Sequence, residues 1–305
     1  MSSQVRDMAR GAIGVSTASA RSSVRRRPRR GRWLSALTLS VICIAWLVPV
    51  VGMLVSSFRG QAAVATTGWW TVFAPPFRFD QFTLSNYSQV LNGGMGEAFL
   101  NTVAVTVPAV LCPLLVAAFA AYAFAWMEMP FKNVIFSIII ALMVVPVQST
   151  LIPLLRVFSQ TGLSGTYFAV WIAHAGFALP LAIYILRNFM GSIPGELIES
   201  AKIDGASHFT VFWRIALPLS TPALAAFATF QFLWVWNDFL VALVFLGGRP
   251  DVQVMTLKLQ TMTGTMGEQW YLLTAGAFIT MIVPVVVFLA LQRFFVRGLT
   301  AGAIK

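Results

Sequence analysis

"SIPGELIESAKIDGASHFTVFWRIALPLSTP", residues 192–222, is a polar island between two long apolar runs. It carries three of the chain's ten acidic residues, Glu196, Glu199 and Asp204, together with Lys202, Arg214 and His208, one of two histidines. Pro194 suits a helix's first turn, where a missing N–H costs nothing. Glu196 and Glu199 then lie near the positive end of the helix dipole. Gly205 stands where a helix closes on a left-handed residue. Residues 194–204 therefore predict a helix of about three turns, with Leu197, Ile198 and Ala201 on one face. Ser207 can cap a second helix. There Phe209, Phe212, Trp213 and Ala216 recur at i, i+3, i+4 and i+7, and Pro218 ends or kinks the element. Such a helix–turn–helix either lies on a membrane surface or docks a partner. Periodicity leaves both readings open.

The flanking runs set the class. The chain has 305 residues, 58% hydrophobic and 10% charged, against about 25% charged in soluble domains. Six runs reach the roughly 20 residues that cross a bilayer: 33–56, 99–126, 134–155, 166–186, 221–246 and 270–292. None contains Lys or Arg, and Asp238 is their one acid. Prolines interrupt several, including Pro49, Pro108, Pro113, Pro146 and Pro284, which a packed helical bundle tolerates. The expected fold is all-α and polytopic, with six transmembrane helices in residues 33–305.

Orientation follows the distribution of basic residues. Nine of the 21 Lys and Arg lie in residues 1–32, and all nine are arginine. This tail lacks apolar periodicity and reads as disordered. "RRRPRRGR" can contact nucleic acid, but in a membrane chain it reads as a topology signal that touches anionic lipid, with no nucleic-acid partner. With the tail inside, both termini and the loop 192–218 are cytoplasmic, and segments 57–98 and 247–269 are extracytoplasmic. The expected localisation is a cell membrane, multi-pass. Trp69 and Trp70 read as interfacial anchors. Cys43 and Cys112 fall in apolar runs without metal-ligand spacing.

Two functional classes can be weighed on residue content alone. An ion-coupled secondary sugar carrier places ionisable groups within its spans. Here His174 and Asp238 alone qualify, and as isolated groups they make a poor relay. A membrane enzyme needs a nucleophile constellation, a metal set or a phosphate loop, and none accompanies the spans. The chain thus carries no ATPase site of its own.

"ESAKIDGASHFTVFWRIALP" (199–218) resembles the EAA loop of ABC-importer permeases. Glu199, Ser200 and Ala201 match Glu-Ala-Ala with one small-for-small change. Asp204, Gly205 and Ala206 follow, then Ile215, Leu217 and Pro218 at the family's spacing. "NYSQVL", "FLNTVAVTVPA", "AAYAFAWMEMPFK", "LPLAIYILRNFM", "FQFLWVWNDFLVAL" and "VRGLTAGAIK" are similar to the MalG-type subunit of carbohydrate importers, with the MetI-like type I fold. "GWW" ahead of "FTLSNY" is most similar to alpha-glucoside permeases. The tail 1–32 lies outside the resemblance.

The resemblance implies a second permease subunit, two ATPase subunits, an extracytoplasmic sugar-binding protein and surrounding lipid. It implies that this chain binds no cofactor, ATP–Mg sitting on the partner ATPases. The EAA helix docks there and couples ATPase closure to alternating access. Thr300, Ala301, Gly302 and Ala303 are implied to reach the ATPases. Gln231, Trp234, Asn237 and Asp238 are candidates for the translocation path, although the sister subunit is implied to hold most sugar contacts.

Overall fold

The computed structural model describes residues 29–74, 77, 79–262 and 269–301, with side chains described from Trp33 to Gln292. The tail at 1–28, Gly302 and Ala303 lie outside the described residues, as do 263–268 of the second long segment. The described residues are helical, with no strand beyond a single antiparallel bridge, Arg59–Phe82. Of the described residues, those up to Val50 form one compact unit and those from Val51 another. Helix α1 (Arg29–Ser57) begins in the first and ends in the second.

The larger unit contains, in order, α2 (Gln61–Thr66), α3 (Ser85–Trp126), α4 (Lys132–Leu142), α5 (Val147–Gln160), α6 (Tyr167–Met190), α7 (Gly195–Ile203), α8 (His208–Leu219), α9 (Thr221–Trp236), α10 (Leu240–Leu246), α11 (Met255–Thr261) and α12 (Trp270–Ala301). Four described helices are long and apolar enough to cross a membrane: Trp33–Ser57, Ser85–Trp126, Tyr167–Met190 and Trp270–Gln292. Two bent pairs, α4 with α5 at 99° and α8 with α9 at 71°, bring the number to six if each pair is one span.

The run 134–155 bends at one of the prolines that interrupt it, as a kinked bundle implies, whereas the expectation of one continuous span over 221–246 is corrected. The break in 134–155 falls just before Pro146, which has an extended ψ of 127° ahead of α5; proline has no N–H to continue the ladder and disfavours helical backbone before it. The run 221–246 also breaks. Helix α9 ends at Trp236, and α10 starts only at Leu240.

The centre of the unit is the pair α3 and α6. Alanines at four-residue steps line their contact: Ala117 and Ala121 on α3, Ala169 and Ala173, then Ala178 and Ala182, on α6, all essentially buried. Small residues at this spacing let helix backbones approach closely without lipid between them. Three hydrogen bonds fix the register. Tyr167 Oη donates to Asn101 Oδ1 at 2.8 Å, Trp171 Nε1 to the Ala104 carbonyl at 3.1 Å, and Trp126 Nε1 to the Met190 carbonyl at 3.0 Å. Both partners rise in number together, so the two helices run parallel.

The segment after α1 is organised by Arg59, only 1% exposed. Its guanidinium donates to Gln81 Oε1 at 2.8 and 3.0 Å, to the Ala63 carbonyl at 3.0 Å, to the Thr67 carbonyl at 3.2 Å and to the Thr67 hydroxyl. Burial lowers its pKa from the ordinary arginine value. Trp69 packs against Gly52, where an added Cβ would lie 2.6 Å from the indole nitrogen. Trp70 remains 63% exposed. The two adjacent tryptophans therefore differ in degree: Trp69 is half-buried, whereas Trp70, whose ring lies over Gly68, keeps most of its surface exposed, as interfacial anchoring needs.

Candidate functional site

The loop 192–218 is a helical hairpin. Pro194 precedes α7 rather than entering its first turn. At the far end Gly205 has φ +84°. The Ala206 N–H donates to the Ala201 carbonyl at 2.9 Å, and the Gly205 N–H to the Lys202 carbonyl at 3.0 Å. These six-to-one and five-to-two bonds are a Schellman closure, which satisfies carbonyls that a helix end otherwise leaves free. Ser207 then caps α8, its hydroxyl accepting from the Thr210 N–H at 3.3 Å.

Helix α8 contains a wide π turn at Phe212–Ala216, in which the Leu217 N–H donates to the Phe212 carbonyl five residues back. The turn has a local cause. Pro218 cannot donate to the fourth carbonyl before it and would clash with it in a regular helix. The wider turn changes the buried face. Val211, Phe212 and Ala216 are buried, whereas Phe209 is 67% and Trp213 41% exposed. The expected face of Phe209, Phe212, Trp213 and Ala216 is corrected accordingly. On α7, Ile198 is buried and Leu197 is 46% exposed, so these two do not share the inward face.

The hairpin is held against the bundle. Ile198, Val211, Phe212 and Ala216 join the core cluster built by Ala118, Ala121 and Tyr122 of α3 and by Leu186 and Met190 of α6. Phe119 stacks on Phe212 with centroids 4.5 Å apart, and Tyr122 meets Phe212 edge-on at 5.5 Å. Tyr122 Oη and His208 Nδ1 are hydrogen-bonded at 3.1 Å. The sequence reading missed these partners. The available signal was the spacing of Phe119, Tyr122 and Trp126 at i, i+3 and i+7 on one face of α3.

Between α7 and α8 lies an open groove of about 450 Å3. Ser200, Ala201 and Asp204 line it from α7, and Arg214, Ile215 and Pro218 from α8. Five of the nine residues assigned to coupling thus meet at one surface. Glu199 is exposed, Gly205 and Ala206 make the turn, and Leu217 packs toward the core.

The candidate path residues separate. Gln231 is wholly buried, and its Nε2 donates to the Ala109 carbonyl at 3.3 Å. Trp234 meets His174 edge-on at 5.4 Å. Asn237 is exposed and donates back to the Leu233 carbonyl at 2.8 Å. Asp238 sits in the break before α10. Its carboxylate accepts from the Val241 and Ala242 N–H groups at 3.3 and 2.8 Å, the role of a helix cap. Its Oδ2, the oxygen that accepts from Ala242, lies 3.7 Å from His174 Nε2. The two ionisable groups are therefore neighbours, which corrects the expectation that they stand isolated, but no hydrogen bond joins them and both His174 ring nitrogens are buried without a partner. Thr300 and Ala301 occupy the end of α12.

A family model for binding-protein-dependent transport system inner membrane components matches residues 114–301. The osmoprotective compounds uptake permease protein GgtD of Synechocystis sp. is 53% identical over 270 residues, covering 88% of this chain and 91% of that protein. The alpha-glucoside transport system permease protein AglG of Rhizobium meliloti is 50% identical over 258 residues, covering 83% of this chain and 67% of that protein. The fold is similar to that of a chain in the crystal structure of a bacterial ABC transporter involved in import of the acidic polysaccharide alginate, with a TM-score of 0.75 and 22% identity over 88% of this chain and 99% of that one. Through the match over most of its helical region and relatives at half identity, the chain belongs to the inner-membrane permease components of binding-protein-dependent ABC importers.

Proposed function

We propose that this chain is one of two permease subunits of an ATP-driven importer of alpha-glucosides or related oligosaccharides. It sits in a bacterial cell membrane with both termini in the cytoplasm. A sugar-binding protein delivers substrate from outside, and two ATPase subunits bind ATP–Mg inside. The hairpin 192–218 docks on one of them and turns ATPase closure into alternating access.

The observation that carries this reading is the groove between α7 and α8, where Ser200, Ala201, Asp204, Ile215 and Pro218 meet on a closed, capped hairpin. A helix lying on lipid would turn a continuous apolar face outward. Here Ile198, Val211, Phe212 and Ala216 are used against α3 and α6, and the groove outside mixes polar and aliphatic side chains, with Ile203, Phe209 and Trp213 exposed singly around it rather than as one continuous face. The AglG likeness supports the substrate class. The GgtD likeness favours a second reading, in which the solute is an osmoprotective compound. Purification of the chain from native membranes, with mass analysis of the bound chains, tests the assembly. Stimulation of its ATPase by alpha-glucosides against other solutes tests the substrate.

A further inference from the structure

Resting on that coupling reading, we propose that Phe119 and Tyr122 of α3, with His208 and Phe212 of α8, are the joint through which the hairpin moves the bundle. They act as positioning residues, not as part of the docking surface.

The hairpin has two routes into the spans. The covalent route runs from α8 into α9, and it bends by 71° at Ser220 between Pro218 and Pro222. Both prolines lack the N–H that would stiffen the bend. A push along α8 is poorly transmitted through such a corner. The second route crosses to α3, 86 residues earlier in the chain, through the Tyr122–His208 hydrogen bond. Beside it stand the Phe119–Phe212 stack at 4.5 Å, the Tyr122–Phe212 edge contact at 5.5 Å and the Phe119–Trp213 edge contact at 6.0 Å. Offset and edge-on aromatic pairs add to simple burial and fix relative orientation. The contact straddles the junction of a regular turn, His208–Val211, with the π turn that starts at Phe212, and Val211, Phe212 and Ala216 are buried in the cluster that contains Ala118, Ala121 and Tyr122 of α3.

What receives the push is rigid. Helix α3 is joined to α6 along its length by the alanine contact and by the Trp126–Met190 bond. Closely packed helices move as a unit, since packed cores switch between arrangements rather than deform continuously. The joint therefore drives α3 and α6 together, and α6 carries His174 at the level of the broken fifth span. Phe119 is 45% exposed, so truncating it removes the stacked ring without emptying the core.

The test uses the complete transporter in liposomes, with its ATPases and binding protein. Uptake per ATP hydrolysed is measured for wild type, Phe119→Ala, Phe119→Leu, Phe119→Tyr and Tyr122→Phe. Copurification of the ATPases and a crosslink from Leu197→Cys to an ATPase subunit are recorded in each background. The expected result is intact docking with uptake per ATP lowered about tenfold in Phe119→Ala, a size contacting side chains can couple, less in Tyr122→Phe, and restored in Phe119→Tyr. Should Phe119→Ala not assemble, Phe119→Leu carries the comparison. Intact docking with unchanged uptake per ATP in Phe119→Leu and Tyr122→Phe overturns the joint alone. An absent Leu197 crosslink in the otherwise wild-type transporter overturns the coupling reading and the joint with it.

Discussion

The Ala206 N–H reaches the Ala201 carbonyl at 2.9 Å because Gly205, between them, holds φ at +84°. No atom lies within 4 Å of where a Cβ on Gly205 would stand. The constraint at this position is therefore backbone conformation and not space. An L side chain in the left-handed region costs about 1–2 kcal/mol, and a β-branched one more, whereas asparagine tolerates it.

Gly205→Val is expected to lower ATP-driven uptake about tenfold or more, the factor that roughly 1.4 kcal/mol represents, with membrane insertion intact. Gly205→Asn is expected to keep most of the activity. Uptake in reconstituted liposomes and copurification of the ATPases check both. Equal activity of the Val and Asn variants would remove the Schellman closure from the account.

Asp238 has two separable roles, a cap on α10 and a charge beside His174. Asp238→Asn keeps a capping oxygen but removes the charge. Asp238→Ala removes both, and loss of a cap costs about 1 kcal/mol. Thermal unfolding in detergent should therefore show a lower Tm for Asp238→Ala than for Asp238→Asn. Uptake by Asp238→Asn should remain dependent on ATP and indifferent to the proton gradient. A gradient requirement in wild type that Asp238→Asn abolishes would mark the His174–Asp238 pair as a proton relay.

Arg59 satisfies five acceptor contacts while buried, and every acceptor is neutral. Hydrogen bonds from a buried charged donor are among the more valuable ones. Arg59→Met leaves Gln81 Oε1 and two carbonyls without this donor, and is expected to cost about 3 kcal/mol. Arg59→Lys should recover only part, since an ammonium cannot reproduce the planar fork. Limited proteolysis within residues 57–98 reads the loss directly, and unchanged protection in Arg59→Met would refute it.

The chain end supplies a further prediction. The resemblance implies that Thr300 to Ala303 reach the ATPases, and α12 extends to Ala301. Ala303→Cys is expected to crosslink to an ATPase subunit in at least one nucleotide state. No crosslink in any state would leave the end solvated.

What could be read in advance follows the range of the interactions. Gly205 and Ser207 were legible because closure and capping are local chemistry. The alanine spacing within α3 and α6 is equally visible in the sequence, although its partner is not. The π turn was hidden, because Pro218 announces a stop without saying that the preceding turn widens. The fifth span was misread as continuous because 221–246 is apolar on both sides of Asn237 and Asp238. Its break depends on Asp238 turning back onto Val241 and Ala242. His174 and Asp238 meet only after α6 and α9 pack, and no spacing rule joins residues 64 positions apart.

The proposed function requires that this permease move solute on ATP through its docked hairpin. Uptake of an alpha-glucoside into liposomes containing the purified transporter, with ATP on the ATPase side and the proton gradient collapsed, tests it most directly. The account predicts uptake that needs ATP, survives loss of the gradient and falls about tenfold in Gly205→Val, as the backbone penalty implies. Uptake that needs the gradient, proceeds without ATP and ignores Gly205→Val would contradict it.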